Sequence, residues 1–261
     1  MKIYIIILIL LIIVIYFSFI FYTNSYINRI CNNLEHYNYG SKTDTNKTIL
    51  MLGGTHGNEP AGSKAIVELM NDINTNKITI KHKLILVPYV NYCASQMNMR
   101  LIPHTGDINR QYPKNINYKD CELNPIIKKI LGFIKEADII IDFHEGWGYY
   151  KENNGSIGST ITPTNTELSN TLADKVFINL NNTIVDNNKK FTILIDDDNK
   201  IKTDNIKYGK NVDIEGTCRS YVNLLKKDYL LIETSGQKDI QPLELRINQD
   251  RIVINTILES L

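Results

Sequence analysis

A histidine and a glutamate stand three residues apart in a short glycine-rich stretch, Gly53–Gly62. This stretch follows the apolar run Thr48–Leu52, which predicts a buried strand, and precedes a helical pattern that begins near Pro60. Because glycine lets the backbone turn tightly, His56 and Glu59 can point at one place where the strand gives way to the helix. Catalytic zinc sites use three protein ligands and keep a fourth position for water. The pair therefore supplies two of the three ligands of a candidate zinc site.

A third ligand is available at the end of another predicted strand. The apolar run Ile139–Ile141 predicts a buried strand, and His144 follows it closely. A lone histidine in such a place is more often a hydrogen-bonded core residue, but this one matches the pair above. Its neighbours Asp142 and Glu145 are interpreted either as partners that orient its ring or as local structure. With His144 the set of three ligands is complete.

A second motif, Asp107–Pro113, contains an asparagine followed by an arginine. The guanidinium of Arg110 can bind a carboxylate through two hydrogen bonds, and Asn109 can add a donor. Arg100 lies a few residues earlier and could polarise the carbonyl of a scissile bond. The alternative, that both arginines are surface charges, fits Arg100 better than Arg110, which lies within the motif.

A carboxylate, Glu233, follows the four apolar residues Tyr229–Ile232. Such a residue is either a charge at the edge of a sheet or a functional group. At the end of a strand in an α/β protein it can act as general base on a zinc-bound water. Glu233 is therefore the candidate general base.

These candidates all follow apolar runs that alternate with helical patterns along the chain. Short β-branched strands alternating with helices predict an α/β fold in which helices cover both faces of a sheet. Functional sites on such sheets gather at the strand ends. Beyond those named above, the sequence predicts strands at 78–90 and 191–195 and helices at 124–136, 166–177, 217–227 and 242–258.

Length and charge limit the possible functions. The 261 residues are enough for one substantial domain, and the net charge of +1 gives no reason to propose nucleic acid as a partner. The four cysteines have no C-x-x-C spacing, so they predict no metal framework. Sequence does not show whether any of them pair as disulfides, and reduced structural thiols are the preferred interpretation.

The N-terminus is almost uninterruptedly apolar from Ile3 to Tyr22. About 20 such residues can cross a bilayer as a helix, and no signal-peptidase pattern follows them. We therefore expect a single-pass transmembrane anchor over residues 1–23, a polar linker over 24–46 and a catalytic domain over 47–261. The simplest orientation places that domain on the extracytoplasmic side of the membrane.

The order of these motifs resembles the zinc carboxypeptidase superfamily, and more narrowly its succinylglutamate desuccinylase/aspartoacylase branch and the small carboxypeptidases close to it. The residues that carry the resemblance occur in one order along the chain: His56 and Glu59, then Asp107, Asn109, Arg110 and Pro113, then His144, then Glu233. The resemblance runs from about Thr48 to the C-terminus. It implies a single three-layer α/β domain with a mixed, largely parallel central sheet flanked by helices.

The resemblance also implies a role for each matching residue. Three residues would bind one zinc ion: His56, Glu59 and His144. Asn109 and Arg110 would hold the carboxylate of the substrate, and Arg100 would stabilise the oxyanion. Glu233 would be the general base and acid. The capping tyrosine of the family has no clear match, although Tyr208 and Tyr221 are candidates.

The leading hypothesis is a zinc-dependent metalloprotease of the carboxypeptidase type, a hydrolase that cleaves an amide bond next to a free carboxylate in a peptide. An alternative is a deacylase of N-acyl amino acids, because such substrates offer the same carboxylate to Arg110. Trp147 and Tyr149 suggest an aromatic-walled pocket, which favours a peptide. A non-catalytic binding module is disfavoured because the three candidate ligands and the candidate base are all present. A structural membrane protein is disfavoured because the motifs occur in the order that the family has.

Overall fold

The computed structural model describes most of the chain, and it divides the chain into two compact units, Met1–Asn33 and Leu34–Leu261. The second unit contains every predicted site residue. The described residues are 11–19, 30–43, 45–102, 106–119, 123–153, 155–205, 207–237 and 240–261.

In the first unit, residues 11–19 form a helix, and the rest of the predicted span Ile3–Tyr22 lies outside the described residues. None of the helices that the structure describes is both long and apolar enough to cross a membrane. This finding contradicts the predicted transmembrane anchor, the single-pass localisation and the membrane as a partner. Apolar composition predicts a span only where one helix continues for about 20 residues, a condition that no described helix meets.

The second unit is built on an eight-stranded sheet with the strand order β1-β3-β2-β4-β8-β5-β6-β7. All neighbouring strands are parallel except for the pairs β1–β3 and β5–β8. The prediction of a mixed, largely parallel sheet is therefore confirmed. The strands are β1 (Tyr37–Tyr39), β2 (Thr48–Leu52), β3 (Lys83–Val87), β4 (Ile139–Gly146), β5 (Thr160–Pro163), β6 (Thr192–Ile195), β7 (Tyr208–Lys210) and β8 (Asp228–Ser235).

Helices pack on both faces of this sheet, as predicted for a three-layer α/β domain. The helices of this unit are α1 (Pro60–Asn74), α2 (Tyr92–Gln96), α3 (Pro125–Glu136), α4 (Glu167–Asn181), α5 (Asp198–Thr203), α6 (Cys218–Leu224) and α7 (Leu243–Ser260), with 3-10 turns at Ile108–Arg110 and Asn187–Lys189. Two cores result, because successive side chains of a strand point to opposite faces. In β2, Ile49 and Met51 pack with α1, α4 and α7, whereas Leu50 and Leu52 pack with α3 and α6.

Strands β4 and β8 are longer than their apolar runs. The sequence predicts that they end at Ile141 and Ile232, but both continue for several residues as buried, paired strands. The register places His144 directly opposite Glu233. The two polar residues therefore lie side by side within the sheet, next to the carboxyl end of β2.

The cysteines do not share one chemical state. Cys31 and Cys93 are each disulfide-bonded. Cys218, the first residue of α6, is a buried free thiol. The preferred interpretation of reduced thiols therefore holds for Cys218 and is wrong for Cys31 and Cys93, because sequence does not fix the distances between cysteines.

Candidate active site

The turn between β2 and α1 depends on two glycines. Gly54 has a φ of +63°, a backbone conformation that side chains other than glycine rarely adopt. The backbone at Gly57 packs so closely on α2 that a Cβ would lie 2.0 Å from the carbonyl carbon of Ala94. The turn then closes with a hydrogen bond from the amide of Glu59 to the carbonyl of His56, 3.2 Å long. This geometry brings the His56 and Glu59 side chains to the same place, as their spacing predicts.

The three predicted metal ligands converge at this turn, and each is only 3% exposed. Nδ1 of His56 lies 2.9 Å from Oε1 of Glu59, and Nδ1 of His144 lies 3.0 Å from Oε2 of Glu59. The two Nδ1 atoms are 3.3 Å apart. One ligand atom from each of the three residues lies within 4.8 Å of the others, so together they could hold a metal ion.

The outer nitrogens of both histidines also face carboxylates. Nε2 of His56 lies 3.1 Å from Asp107, and Nε2 of His144 lies 3.3 Å from Asp142. A neutral His56 that donates its Nε2 hydrogen to Asp107 presents a lone pair at Nδ1. That lone pair faces a carboxylate oxygen of Glu59 and the Nδ1 of His144. A cation bound between these three atoms would offset the repulsion between their lone pairs. Carboxylates behind ligating histidines are the usual pattern at zinc sites.

The charges of the site also favour a cation. Burial opposes ionisation of Glu59, but its hydrogen bonds with His144 and His56 outweigh burial and lower the pKa of its carboxyl. Burial lowers the pKa of His144, but Asp142 and Glu59 outweigh it and raise that pKa well above its usual range. The carboxylates thus create a strongly negative environment in which positive charge is stabilised.

The two histidine nitrogens are separated by a distance at which one metal ion can bind both. Two ligands at the usual zinc distance of about 2.0–2.1 Å and a tetrahedral angle are separated by about 3.3 Å. The two Nδ1 atoms have this separation. Imidazole and carboxylate ligands without sulfur also match the donor sets of catalytic zinc sites.

Glu233 lies beside this cluster, 5% exposed and opposite His144 in the β4–β8 register. Burial, together with the charges of Glu59 and Asp142, raises the pKa of its carboxyl well above the usual range, although His144 and Arg100 lower it. A carboxyl with a raised pKa next to a candidate metal site can both accept and return a proton near neutral pH.

Arg100 is held by acidic residues of the site. Its guanidinium donates to Oε1 of Glu59 at 3.0 Å and to Oδ2 of Asp107 at 3.2 Å. The side chain is 39% exposed and lines the cleft above the ligands. Arg100 is thus a cleft residue that contacts a candidate metal ligand.

Asn109 and Arg110 line the same cleft, on the 3-10 turn that begins after Asp107. The side-chain oxygen of Asn109 accepts a hydrogen bond from the amide of Cys218, 3.0 Å long. Arg110 is exposed, and its guanidinium donates to the carbonyl of Asn109 at 2.7 Å. The sequence interpretation of Arg110 as enclosed within its motif does not describe its side chain, which faces solvent.

Gln237, which no sequence pattern indicates, and the backbone of Glu145 hold Glu59 in place. Nε2 of Gln237 donates to Oε1 of Glu59 at 3.0 Å and to the carbonyl of Glu145 at 2.6 Å. The backbone amide of Glu145 donates to Oε2 of Glu59 at 3.2 Å. The side chain of Glu145 points away from His144 and accepts from the amide of Ala61, so it does not orient the ring. No sequence pattern identifies Gln237, because it acts from a loop far along the chain.

The cleft over the ligands has a volume of about 320 Å³. Its lining includes four apolar side chains that are at least 40% exposed: Trp147, Ile157, Val212 and Ile214. A further aromatic residue, Tyr150, also lines it, whereas Tyr149 is buried. Neither candidate for the capping tyrosine is among the described residues that line the cleft. Tyr221 is buried in the core that includes α3 and α6, and Tyr208 packs against the core on the other face of the sheet.

Residues 45–151 match the succinylglutamate desuccinylase/aspartoacylase catalytic domain family. The predicted resemblance is confirmed. The part of the chain that matches this desuccinylase/aspartoacylase domain includes the ligand cluster and the Asn109–Arg110 motif, whereas Glu233 lies beyond it. No curated protein matches the chain.

Solved structures extend the likeness beyond the desuccinylase/aspartoacylase segment. Tripeptide-bound Csd4, a cell shape determinant protein from Helicobacter pylori, is 18% identical with a TM-score of 0.66, over 88% of this chain and 55% of Csd4. The mDAP-bound form of Csd4, described as a D,L-carboxypeptidase, is 19% identical with a TM-score of 0.64, over 86% and 54%. A candidate metallopeptidase from Shewanella amazonensis SB2B is 16% identical with a TM-score of 0.63, over 87% and 82%.

These structural neighbours establish the fold. The chain spans about half the length of the Csd4 chains that it matches. The chain therefore shares the fold of these neighbours. The part that matches the desuccinylase/aspartoacylase domain contains every metal-binding, substrate-binding and catalytic residue predicted from the sequence except Glu233.

Proposed function

We propose that the protein is a zinc-dependent hydrolase that cleaves an amide bond next to a free carboxylate, acting as a carboxypeptidase on peptides. The observation that carries this proposal is the convergence of His56, Glu59 and His144 in the floor of a cleft, with Glu233 on the neighbouring strand. Zinc bound by the three ligands would polarise the scissile carbonyl and lower the pKa of a bound water.

Glu233 is the proposed general base and acid. It would accept a proton from the attacking water and deliver that proton to the nitrogen of the leaving amine, so that no net proton is consumed at the carboxyl. Burial beside Glu59 supports this role because it raises the pKa of Glu233 and makes proton return easier.

The substrate carboxylate would bind at Arg110 and Asn109. Arg110 supports this role because its guanidinium is exposed at the cleft, where it can form two hydrogen bonds to a carboxylate. Asn109 is oriented by the amide of Cys218, which engages its oxygen and leaves its NH2 group as the donor. Arg100 would stabilise the oxyanion from its position beside Glu59.

A peptide substrate is favoured by the apolar side chains that line the cleft. Exposed apolar groups such as Trp147 and Val212 can contact a chain that extends beyond the reacting residue. The fold is also that of Csd4, a D,L-carboxypeptidase. The second candidate, deacylation of N-acyl amino acids, is favoured by the family match, since that family is named for such reactions.

The test is to assay full-length protein, with and without zinc, against C-terminal peptides and N-acyl amino acids side by side. A chelator should abolish activity, and zinc should restore it. Glu233→Gln should lower kcat by about 100–10,000-fold, the usual contribution of a general acid–base. The matched control is Glu215→Gln, at a glutamate that is 80% exposed, and it should leave kcat unchanged. Wild-type activity in Glu233→Gln would refute the mechanism, and turnover of N-acyl amino acids alone would select the deacylase.

A further inference from the structure

Arg246 forms a buried ion pair at the back of the candidate metal site. It lies in the first turns of α7 and is 4% exposed, and Nη1 of its guanidinium donates to Oε2 of Glu145, which is 1% exposed. The pair is tightly enclosed, because a Cβ at Gly236 would lie 1.8 Å from Oε2 of Glu145 and 2.3 Å from Nη1 of Arg246. A side chain at position 236 would therefore displace the ion pair.

Glu145 connects Arg246 to the start of helix α1. Its Oε1 accepts a hydrogen bond from the amide of Ala61, 2.7 Å long. The first amides of a helix have no partner within the helix, and a carboxylate there is stabilised by the helix dipole. Glu59 is the N-cap residue of this helix, only two positions before Ala61. The Glu145 carboxylate thus fixes the helix end that carries the candidate metal ligand.

The backbone of Glu145 contacts Glu59 directly. Its amide donates to Oε2 of Glu59 at 3.2 Å, and its carbonyl accepts from Gln237, which also donates to Oε1 of Glu59. Side chain and backbone of Glu145 therefore act on the same ligand by two routes. Arg246 holds the side chain from α7.

We propose that Arg246 is a positioning residue that acts through Glu145 to hold the carboxylate of Glu59 in the geometry that binds the metal. The inference rests on the proposed function, because it takes Glu59 as a metal ligand. Groups that orient metal ligands through hydrogen bonds typically contribute about 10–100-fold to metal affinity.

The chain offers a matched control in the same pair of helices. Arg251, also on α7, donates to Asp72 on α1 and lies 4.0 Å from Glu68. This second arginine joins α7 to the other end of α1, away from the ligands. Arg251 contacts α1 directly, whereas Arg246 reaches α1 only through Glu145 of β4. Of these two arginines, Arg246 alone contacts a residue that touches Glu59.

The test compares the zinc affinity of purified full-length wild type with that of Arg246→Gln, Glu145→Gln, the double variant and Arg251→Gln. The zinc Kd is measured by competition with a chromophoric chelator, and the Tm of each metal-free protein is recorded alongside. Arg246→Gln should weaken zinc binding by about tenfold or more. The double variant should lose no more zinc affinity than the weaker-binding of the two single variants, because both substitutions break the same connection. Arg251→Gln should keep its zinc Kd within about twofold of wild type even if its Tm falls.

The zinc Kd and Tm values of these variants support or contradict the inference. Equal zinc Kd values in wild type, Arg246→Gln and the double variant would overturn the inference while leaving the zinc site intact. Losses of affinity that follow Tm in both arginine variants would also overturn it, because a general loss of packing would then be the cause. Should Arg246→Gln fail to fold, the double variant carries the test, since it leaves no buried unpaired charge. A wild-type protein that binds no zinc would instead refute the proposed function.

Discussion

The two ends of the α1–α7 helix pair carry the same kind of contact in different surroundings. At one end Arg246 pairs with Glu145, with side chains 5% and 1% exposed, beside the candidate metal ligand Glu59. At the other end Arg251 pairs with Asp72, with side chains 14% and 23% exposed. Sequence chemistry alone does not separate the two pairs, because each joins an arginine of α7 to an acidic side chain.

The two ion pairs differ in burial, and this difference indicates that they have different roles. The Arg251–Asp72 pair keeps partial contact with water, so its desolvation cost is smaller. A buried pair carries a desolvation cost that often cancels its attraction, so stability alone is a weak reason for its presence. The buried end also includes Asp250, whose carboxyl hydrogen bonds to none of the described residues. Costly buried polar groups therefore concentrate at the end of the helix pair that faces the candidate metal site.

The largest difference between the two ends should appear when one carboxylate at each is replaced by its amide. Glu59→Gln removes a candidate metal ligand and should weaken zinc binding by more than about 100-fold, the upper range for merely orienting groups. Asp72→Asn makes the same chemical change at the distal end and should leave the zinc Kd unchanged. Isothermal titration of both metal-free variants measures this contrast. Equal affinities would remove the functional distinction between the two ends.

A smaller effect should appear in the pH dependence of stability. Burial and the charge of Glu145 raise the pKa of Asp250 well above its usual range, although Arg246 lowers it. A carboxyl whose folded pKa is raised retains its proton in the native state, so the wild type loses stability as pH rises above the unfolded value of about 3.9. Asp250→Asn lacks this penalty, so its Tm should rise relative to wild type between pH 4.5 and pH 7.5, by about 2–4 °C for each 1 kcal/mol.

The control for this prediction is Asp72→Asn, the same chemical change at a carboxylate that pairs with Arg251. Parallel pH profiles of Tm for Asp250→Asn and the wild type would contradict the account of the buried end.

Much of the fold and of the candidate site was predictable because local patterns specify them. The apolar run Thr48–Leu52 and the glycines after it predict the strand and turn that bring His56 and Glu59 together. His144 was predictable for the same reason, since a buried strand delivers it. The C-terminal ends of β4 and β8 were not predictable from the sequence. Polar residues such as Asp142 and Glu233 lie inside these buried strands and interrupt the apolar pattern by which a strand is identified.

The contacts behind the ligands could not be predicted. Gln237 and Arg246 act on Glu59 and Glu145 from 92 to 178 positions away along the chain, a distance that no spacing rule connects. The solvent-facing side chain of Arg110 likewise depends on packing that its motif does not encode. The transmembrane anchor predicted from the apolar run at residues 3–22 was wrong, since no helix among the described residues is long and apolar enough to cross a membrane.

Anomalous diffraction at the zinc absorption edge, from crystals of the zinc-loaded protein, tests the central claim most directly. We predict one strong peak in the cleft floor, within about 2.0–2.2 Å of Nδ1 of His56, Nδ1 of His144 and the carboxylate of Glu59. A peak bound by other residues, or the absence of any peak near these three ligands in zinc-loaded crystals, would contradict the account.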